Sequence, residues 1–389
     1  MKFNANKTLR VFSAASFLND LGSDIIYPLW PLFVTSLPGA NAAVLGLIDG
    51  LGDSLVSISQ AIAGFVSDRI KKRKVFVWTG YIFGGLARAG YAVAPSWHWL
   101  VPFRILDRGG KMRDTPRDVI MVDATADGQR GNNFGILRTF DNFGAICGIL
   151  IATVFVGVLG FQRLFLLAAI PSLISALLVY RFIKDPVRTD KKIFKGFSIK
   201  QTSPQFKLLL AANAFFALGA FSYSFLIIFA SKWGVPTPYV PLLYLLFTLV
   251  ASLTSWQFGR LSDRLKSRKI VMLISFLLWI AVCLTLILSH AIWAIIAAFA
   301  FYGLHRGSLD TVQNVFVAEM APAEFRASSL GLFQLVTGIG ALPASLAAGI
   351  LWSVIGPGAT FSLSLGLVAV AAALLFFVRE QKHPAIAAI

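Results

Sequence analysis

Cysteine is nearly absent from this 389-residue chain: Cys147 and Cys283 lie in separate apolar segments and in no CxxC arrangement. They read as small buried hydrophobes and leave no disulfide framework. The four histidines join them in no metal-ligand spacing, so no metal site is expected. There is no GxxxxGK[ST] loop to cradle a nucleoside triphosphate and no GxSxG elbow to carry a nucleophile. Acidic residues are few, 18 against 35 Lys and Arg. Long polar stretches are rarer still: segment 184–205, with Lys191, Lys192, Lys195, Lys200 and Pro204, divides the chain almost in half and reads as a linker on the cytoplasmic face. These absences argue against an enzyme, against a resident cofactor and against ATP as the energy source.

What the chain has in quantity is apolar sequence. Hydrophobic residues make up 57% and charged ones 14%, with a mean hydropathy of +0.74. A soluble protein of this length is not that apolar, so lipid is its solvent. A spanning helix takes roughly 20 mostly apolar residues. Hydropathy and helix breakers predict twelve, over 11–35, 43–67, 75–95, 99–122, 133–158, 163–183, 206–231, 239–260, 269–289, 291–318, 328–354 and 360–379. The first run contains two carboxylates and is too long for a signal-peptide core, so it reads as a retained helix. The formal charge of +17 does not indicate nucleic acid, because the basic residues alternate between connections. With the N-terminus inside, 24 Lys and Arg fall in cytoplasmic segments and two, Arg163 and Lys232, in external loops. That is the positive-inside pattern, and it places both termini on the cytoplasmic side of a cytoplasmic (inner) membrane.

The two halves repeat. Gly64-Phe-Val-Ser-Asp-Arg-Ile-Lys-Lys-Arg-Lys74 and Gly259-Arg-Leu-Ser-Asp-Arg-Leu-Lys-Ser-Arg-Lys269 agree at seven of eleven places, offset by 195 residues. At an offset of 196, Asp123, Arg130 and Gly135 overlay Glu319, Arg326 and Gly331. Two loops matching in the same order indicate duplication of a six-helix unit. The expected fold is therefore an all-α membrane protein of two pseudo-symmetric six-helix bundles, residues 1–183 and 206–389, joined by 184–205.

The Gly64-x-x-x-Asp68-Arg69-x-x-x-Arg73-Lys74 loop resembles the signature loop of the major facilitator superfamily, and Gly259, Asp263, Arg264 and Arg268 stand where that family puts its second copy. The stretch Arg104-Ile-Leu-Asp-Arg-Gly-Gly-Lys-Met-Arg-Asp-Thr-Pro-Arg-Asp118 looks like a fourth-helix pattern of one bacterial subgroup. The resemblance implies a secondary transporter working by alternating access. Asp68, at the end of helix 2, is free to accept hydrogen bonds from a facing helix N-terminus or from a helix 4 arginine such as Arg113 or Arg117, and so to latch the halves. The Gly-Pro element that proton-antiporting members often carry in helix 5 is not present, since Ile149 follows Gly148. Gly144-x-x-x-Gly148 and Gly338-x-Gly340-x-x-Pro343 read as sites of close helix approach and bending.

Ionisable residues within a span cost about 2.5–3.5 kcal/mol each on insertion scales, so each is a functional candidate. Asp20 and Asp24 share one face of helix 1 with Tyr27, and Asp49 and Asp53 one face of helix 2. At ~100° per residue, a continuous helix 4 would group Arg104, Asp107, Arg108, Lys111 and Asp118, with Asp114 beside them and Arg113 and Arg117 pointing the other way. Arg88 on helix 3 is a further donor. These charges either pair structurally or serve coupling, one or two carboxylates carrying a proton because burial favours the neutral form. Asp20 and Asp24 are the first choices by depth, with Arg104 and Arg108 as partners. The second half offers polar and aromatic candidates for substrate: Asn213 and Tyr223 on helix 7, and His305, Arg306 and Asp310 on helix 10. The reading that results is a monomeric carrier that moves a small solute, by preference proton-coupled efflux of a small organic compound. Uptake or exchange of an anionic metabolite and a non-transporting sensor or scaffold are the alternatives.

Overall fold

The computed structural model describes residues 5–70, 72–125, 129–185, 202–321 and 326–380, and all side chains in those ranges except residues 5, 6, 68, 130, 131 and 326–328. Most of the 184–205 connection and the Asp68 side chain therefore lie outside the described residues. The described chain is helical, with no strand. Fourteen helices run in order: α1 (Ala5–Ile26), α2 (Trp30–Ser36), α3 (Ala42–Ile70), α4 (Lys74–Val93), α5 (Trp97–Gly109), α6 (Asp114–Ala124), α7 (Arg130–Phe182), α8 (Pro204–Gly219), α9 (Ser224–Lys232), α10 (Val240–Leu265), α11 (Arg268–Leu288), α12 (Ile292–Met320), α13 (Arg326–Val354) and α14 (Pro357–Phe377). They make twelve spans, because α1 and α2, α5 and α6, and α8 and α9 are broken pairs, whereas α7 holds two spans divided at Gly160. There the backbone turns at φ 69°, ψ 176°, a conformation that glycine adopts without strain.

The broken pairs correct the continuous helices expected over 11–35, 99–122 and 206–231. Pro28 ends α1, since it has no N–H to give and its ring crowds the preceding turn. Between α5 and α6, residues Gly110–Arg113 tighten into a 3₁₀ turn, whose three residues per turn rotate everything beyond it against the phase of α5. Glycine permits this: a Cβ at Gly110 would lie 2.7 Å from the Gly80 carbonyl oxygen of α4. The break at 220–223 has no proline to announce it. Helix starts elsewhere follow ordinary capping rules. Ser203 accepts from Phe206 N at 3.1 Å with Pro204 in the first turn, and Ser267 accepts from Ile270 N at 3.2 Å.

Among the described residues, eight helical stretches are long and apolar enough to cross a membrane; α1, α4 and the α5–α6 pair fall short of that measure. They are the helices that carry Asp20, Asp24, Arg88, Arg104 and their neighbours. Burial is inverted relative to a water-soluble fold. Leu288 and Val354 are about four-fifths exposed, while Asp49, Arg88 and Arg104 are almost fully enclosed, as a lipid solvent requires.

The chain forms two compact units. One contains Met1–Lys192 with Ser222–Leu245 and Ser345–Ser353; the other contains Ile193–Phe221, Leu246–Ala344 and Val354–Ile389. In the first, α1 packs along α7, where a Cβ on Gly144 or Gly148 would strike the Phe17 or Leu21 carbonyl. One end is filled by Phe12, Val77, Tyr81, Ile120, Leu137 and Val179. In the second, α11 packs on α12 and α14, and α8 on α14. Cys283 is buried and Cys147 half-buried, both as free thiols.

Candidate functional site

The site is built outward from the break in helix 1. The Pro28 turn leaves Tyr27 and Trp30 facing α3 and α5. Trp30 Nε1 and Arg104 Nη2 each donate to Asp49 Oδ1 at 2.8 Å. The other oxygen, Oδ2, accepts from Ser222 at 2.8 Å and from Ser224, both in the turn that opens α9. Asp49 is 1% exposed, so a carboxylate that is costly to bury alone is held by four donors, one of them a cation. Arg104 also lies over the Trp30 ring, 4.4 Å from its centroid. Arg104 thus faces Asp49 instead of Asp20 or Asp24, the partners expected from depth alone.

One turn further along α5, Arg108 lies 5.1 Å from the Tyr27 ring centroid, donates to the Tyr27 hydroxyl at 3.3 Å and stands 3.8 Å from Asp107. The Tyr223 hydroxyl donates to the Tyr27 carbonyl at 3.0 Å, and Tyr244 lies near Asp24. Tyr27 and Tyr223 are 196 residues apart, so the duplicated tyrosines of the two helix breaks touch one another. Arg104 Nε and Nη1 and Arg108 Nε have no hydrogen-bond partner among the described residues. Asp53, four residues after Asp49, is exposed.

A cavity of about 490 Å³ lies in the same unit, lined by Asp20, Gln60, Lys111, Arg113, Asp114, Arg117, Asp118, Arg138 and Asp141, among others. Arg113 and Arg117 belong to this wall and do not point away from it, because the 3₁₀ turn re-phases α6. Most of the charges here are partnered. Arg113 donates to the Gly110 carbonyl at 2.9 Å, stacks on Tyr81 and approaches Asp114 at 3.7 Å; Asp114 also accepts from Gln60 at 3.1 Å. Arg117 donates to Ser16 and pairs with Asp118, both at 3.0 Å. Arg138 pairs with Asp141 at 3.2 Å. Asp20 differs: its one hydrogen bond is from Asn19 Nδ2, at 2.9 Å, and neither it nor Asp24 nor Lys111 forms an ion pair among the described residues. Arg88 lies outside this wall, between α1 and α7, and is bound by neutral oxygens.

The signature loop is tied down within each unit by matching contacts. Arg73 pairs with Asp123 at 2.6 Å, and Arg268 with Glu319 at 3.3 Å and Asp263 at 2.6 Å. Asp185 accepts from the Arg73 and Lys74 backbone N–H groups at 3.0 and 2.7 Å; Glu380 accepts from the Lys269 N–H at 2.8 Å. Each acid is an anion at a helix N-terminus, where the free N–H groups favour it. Gly64 and Gly259 face Thr115 and Thr311 alike, a built Cβ lying 3.3 and 3.4 Å from the threonine methyl. Arg69 is exposed.

In the second unit the candidates do not converge. Asn213 is buried, donates to the Leu209 carbonyl at 2.8 Å and accepts from Gln313 at 3.4 Å. His305 Nδ1 lies 2.9 Å from Ser275 Oγ, and its ring is surrounded by Phe216, Trp279 and Tyr302. Arg306 and Asp310 pair with each other at 3.0 Å and are about half exposed. Trp30, Tyr244, Asn19, Arg138, Asp141, Asp185 and Glu380 were not anticipated. Arg138 and Asp141 alone gave a signal, as charged residues in the helix 5 segment. Among the described residues no group of three His, Cys, Asp or Glu side chains is arranged to hold a metal.

Comparison with known proteins agrees with this architecture. The profile of the Major Facilitator Superfamily matches residues 12–244 and 208–388. An uncharacterized MFS-type transporter of Methanocaldococcus jannaschii is 32% identical over 384 residues, covering 96% of this chain and 95% of that one. A multi-drug resistance efflux pump of Streptococcus pneumoniae, PmrA, is 25% identical over 200 residues, 49% of each chain. The crystal structure of the nucleoside transporter NupG (D323A mutant) superposes with a TM-score of 0.79 at 14% identity, over 95% of this chain and 98% of that one, a likeness of fold. With two six-helix repeats, duplicated signature loops and a charged, enclosed interior, the chain belongs to the Major Facilitator Superfamily and is a multi-pass membrane transporter of the secondary-carrier type, not an enzyme.

Proposed function

We propose that this carrier exports a small organic compound across the cytoplasmic membrane in exchange for protons. The observation that supports it is the unequal partnering of buried carboxylates: Asp49 takes four donors, whereas Asp20, on the wall of a 490 Å³ cavity, takes a single amide N–H. A carboxyl group already held by several donors gives up little by staying charged; one with open valence beside water is suited to load and release a proton. Asp20 and Asp24 carry the coupling proton, and Asp49, Asp53, Arg88, Arg104, Asp107, Arg108 and Lys111 set the field around them. Tyr27, Asn213, Tyr223, His305, Arg306 and Asp310 are the substrate contacts in this reading. Residues 1–183 and 206–389 rock against each other as a monomer with both termini cytoplasmic. The loops Gly64–Lys74 and Gly259–Lys269 latch the inward side through Asp68, Arg69 and Arg73, with Arg113 and Arg117 opposite, and through Asp263, Arg264 and Arg268. No ATP and no resident cofactor take part.

Uptake or exchange of an anionic metabolite has its own supporting observation, the three guanidinium nitrogens of Arg104 and Arg108 that have no hydrogen-bond partner among the described residues. Proteoliposomes separate the readings. Under an imposed pH gradient the purified protein is expected to move ethidium, a lipophilic cation, against its concentration gradient, and to leave succinate behind. Movement of succinate alone selects the second reading. If no member of a wider panel of cations, zwitterions and anions responds to the gradient, with the folded protein present, coupled transport itself is refuted.

A further inference from the structure

Arg88 of α4 is 3% exposed, and no carboxylate lies within ion-pair distance of it among the described residues. Its guanidinium is bound by neutral oxygens from two helices. On α1 it donates to the Asn19 carbonyl at 3.3 Å, the Asn19 side-chain Oδ1 at 3.2 Å and Ser23 Oγ at 2.7 Å; on α7 it donates to the Ala168 carbonyl at 3.4 Å and to Ser172 Oγ. Gly22 admits it, since a Cβ there would strike both Arg88 Nη1 and the Ala168 carbonyl. Ser172, having accepted from Arg88, donates its own hydrogen to Asn19 Oδ1 at 3.1 Å.

These contacts determine which way the Asn19 amide points. A guanidinium has donors only, and the Ser172 hydrogen is a second donor aimed at the same spot. An amide turned the other way would set its NH₂ against the guanidinium, so the oxygen faces Arg88, and the Ser172 hydroxyl donates to it from the other side. The NH₂ is thereby directed to Asp20 Oδ1, which it reaches at 2.9 Å.

We infer that Arg88 and Asn19 are positioning residues for the coupling carboxylate, a relay in which the buried guanidinium locks an amide that holds Asp20 by one oxygen. The inference rests on reading Asp20 as a proton carrier. With Oδ1 occupied by an N–H that it can accept in either protonation state, the proton is loaded on and released from Oδ2. The relay leaves Lys111, Arg113 and Asp141, which share the cavity wall with Asp20, untouched.

Infrared difference spectroscopy of the purified protein in lipid, between high and low pH, tests this directly. The carbonyl band of protonated Asp20 is the one that disappears in Asp20→Asn. In Asn19→Ala that band is expected to move to higher wavenumber, because its C=O has lost a donor. Arg88→Gln should split it, since the Asn19 amide can then take both orientations. Arg88→Lys, again a pure donor, should keep it near the wild-type position even where the helix packing is weakened, and Ser23→Ala should not move it. A band unmoved by Asn19→Ala in a folded variant overturns the relay alone. A folded wild-type protein with no Asp20 band at any accessible pH overturns proton carriage by Asp20, and the relay with it.

Discussion

The α5–α6 pair and α12 occupy the same place in the two repeats, yet their interiors share almost nothing. Between 104 and 118 the first copy places Arg104, Asp107, Arg108, Lys111, Arg113, Asp114, Arg117 and Asp118; at the matching positions of the second, 300 to 314, the charges are Arg306 and Asp310, paired on the surface. The buried polar group there is His305, hydrogen-bonded to Ser275 among aromatic rings. The cytoplasmic loops tell the opposite story. Arg73 with Asp123 and Asp185 is reproduced as Arg268 with Glu319, while Glu380 caps the following helix as Asp185 does. Duplication kept the devices at the loop and let the helix interiors diverge, so the buried charges are concentrated in the first half.

The comparison would break first on stability. Arg104→Leu leaves the Asp49 carboxylate buried without its cation and is expected to cost about 3–5 kcal/mol. His305→Leu removes a neutral hydrogen bond and should cost about 1–2 kcal/mol. Equal losses in thermal unfolding of the purified variants would show that the halves depend on buried polar groups alike. Next comes transport. Asp20→Asn and Asp24→Asn should each cut pH-driven ethidium flux about tenfold or more, the equivalent of ~1.4 kcal/mol, whereas Asp310→Asn, at a substrate contact in this reading, should weaken ethidium binding and leave the dependence of flux on the imposed pH gradient within about twofold. A larger effect at Asp310 would move ion handling into the second half.

The loops should respond more equally. Arg73→Ala removes a buried guanidinium from Asp123 and is expected to destabilise by about 1–2 kcal/mol. Arg268→Ala, whose side chain and partners are more exposed, should stay under ~1 kcal/mol. Gly64→Ala and Gly259→Ala make the smallest change: each methyl meets a threonine methyl at nearly the same distance, and both should fall within about 0.5 kcal/mol. A pair of glycine variants that differ widely would mean the repeated loops are not held in the same way.

The sequence was enough for the spans, the duplication and the family, because hydropathy and a repeated loop report on depth and order. It was not enough for rotation. Asp20, Asp24 and Arg104 are all placed near mid-depth by hydropathy, but whether Arg104 meets Asp20 or Asp49 depends on the Pro28 turn and on the way Trp30 reaches back to α3. Arg113 and Arg117 were misdirected by treating 99–122 as one helix; the Gly109-Gly110 pair was visible, the 3₁₀ turn it permits was not. The break before α9 has no proline, so Ser222 and Ser224 gave no sign that they approach Asp49. Asp185 sits at the edge of a polar connection, where an acid carries little topological signal and its role as a helix cap depends on a contact over a hundred residues away.

Asp185 also bears on how the chain is made. It follows the sixth span and closes onto the start of the third, so the ring of contacts around α4 is completed by the last residues of the first repeat to be synthesised. A domain finished by its own final segment can settle while the rest of the chain is still on the ribosome. Glu380 gives the second repeat the same arrangement, closing onto the first turn of α11. Removing either acid is then expected to delay maturation of one repeat during biogenesis.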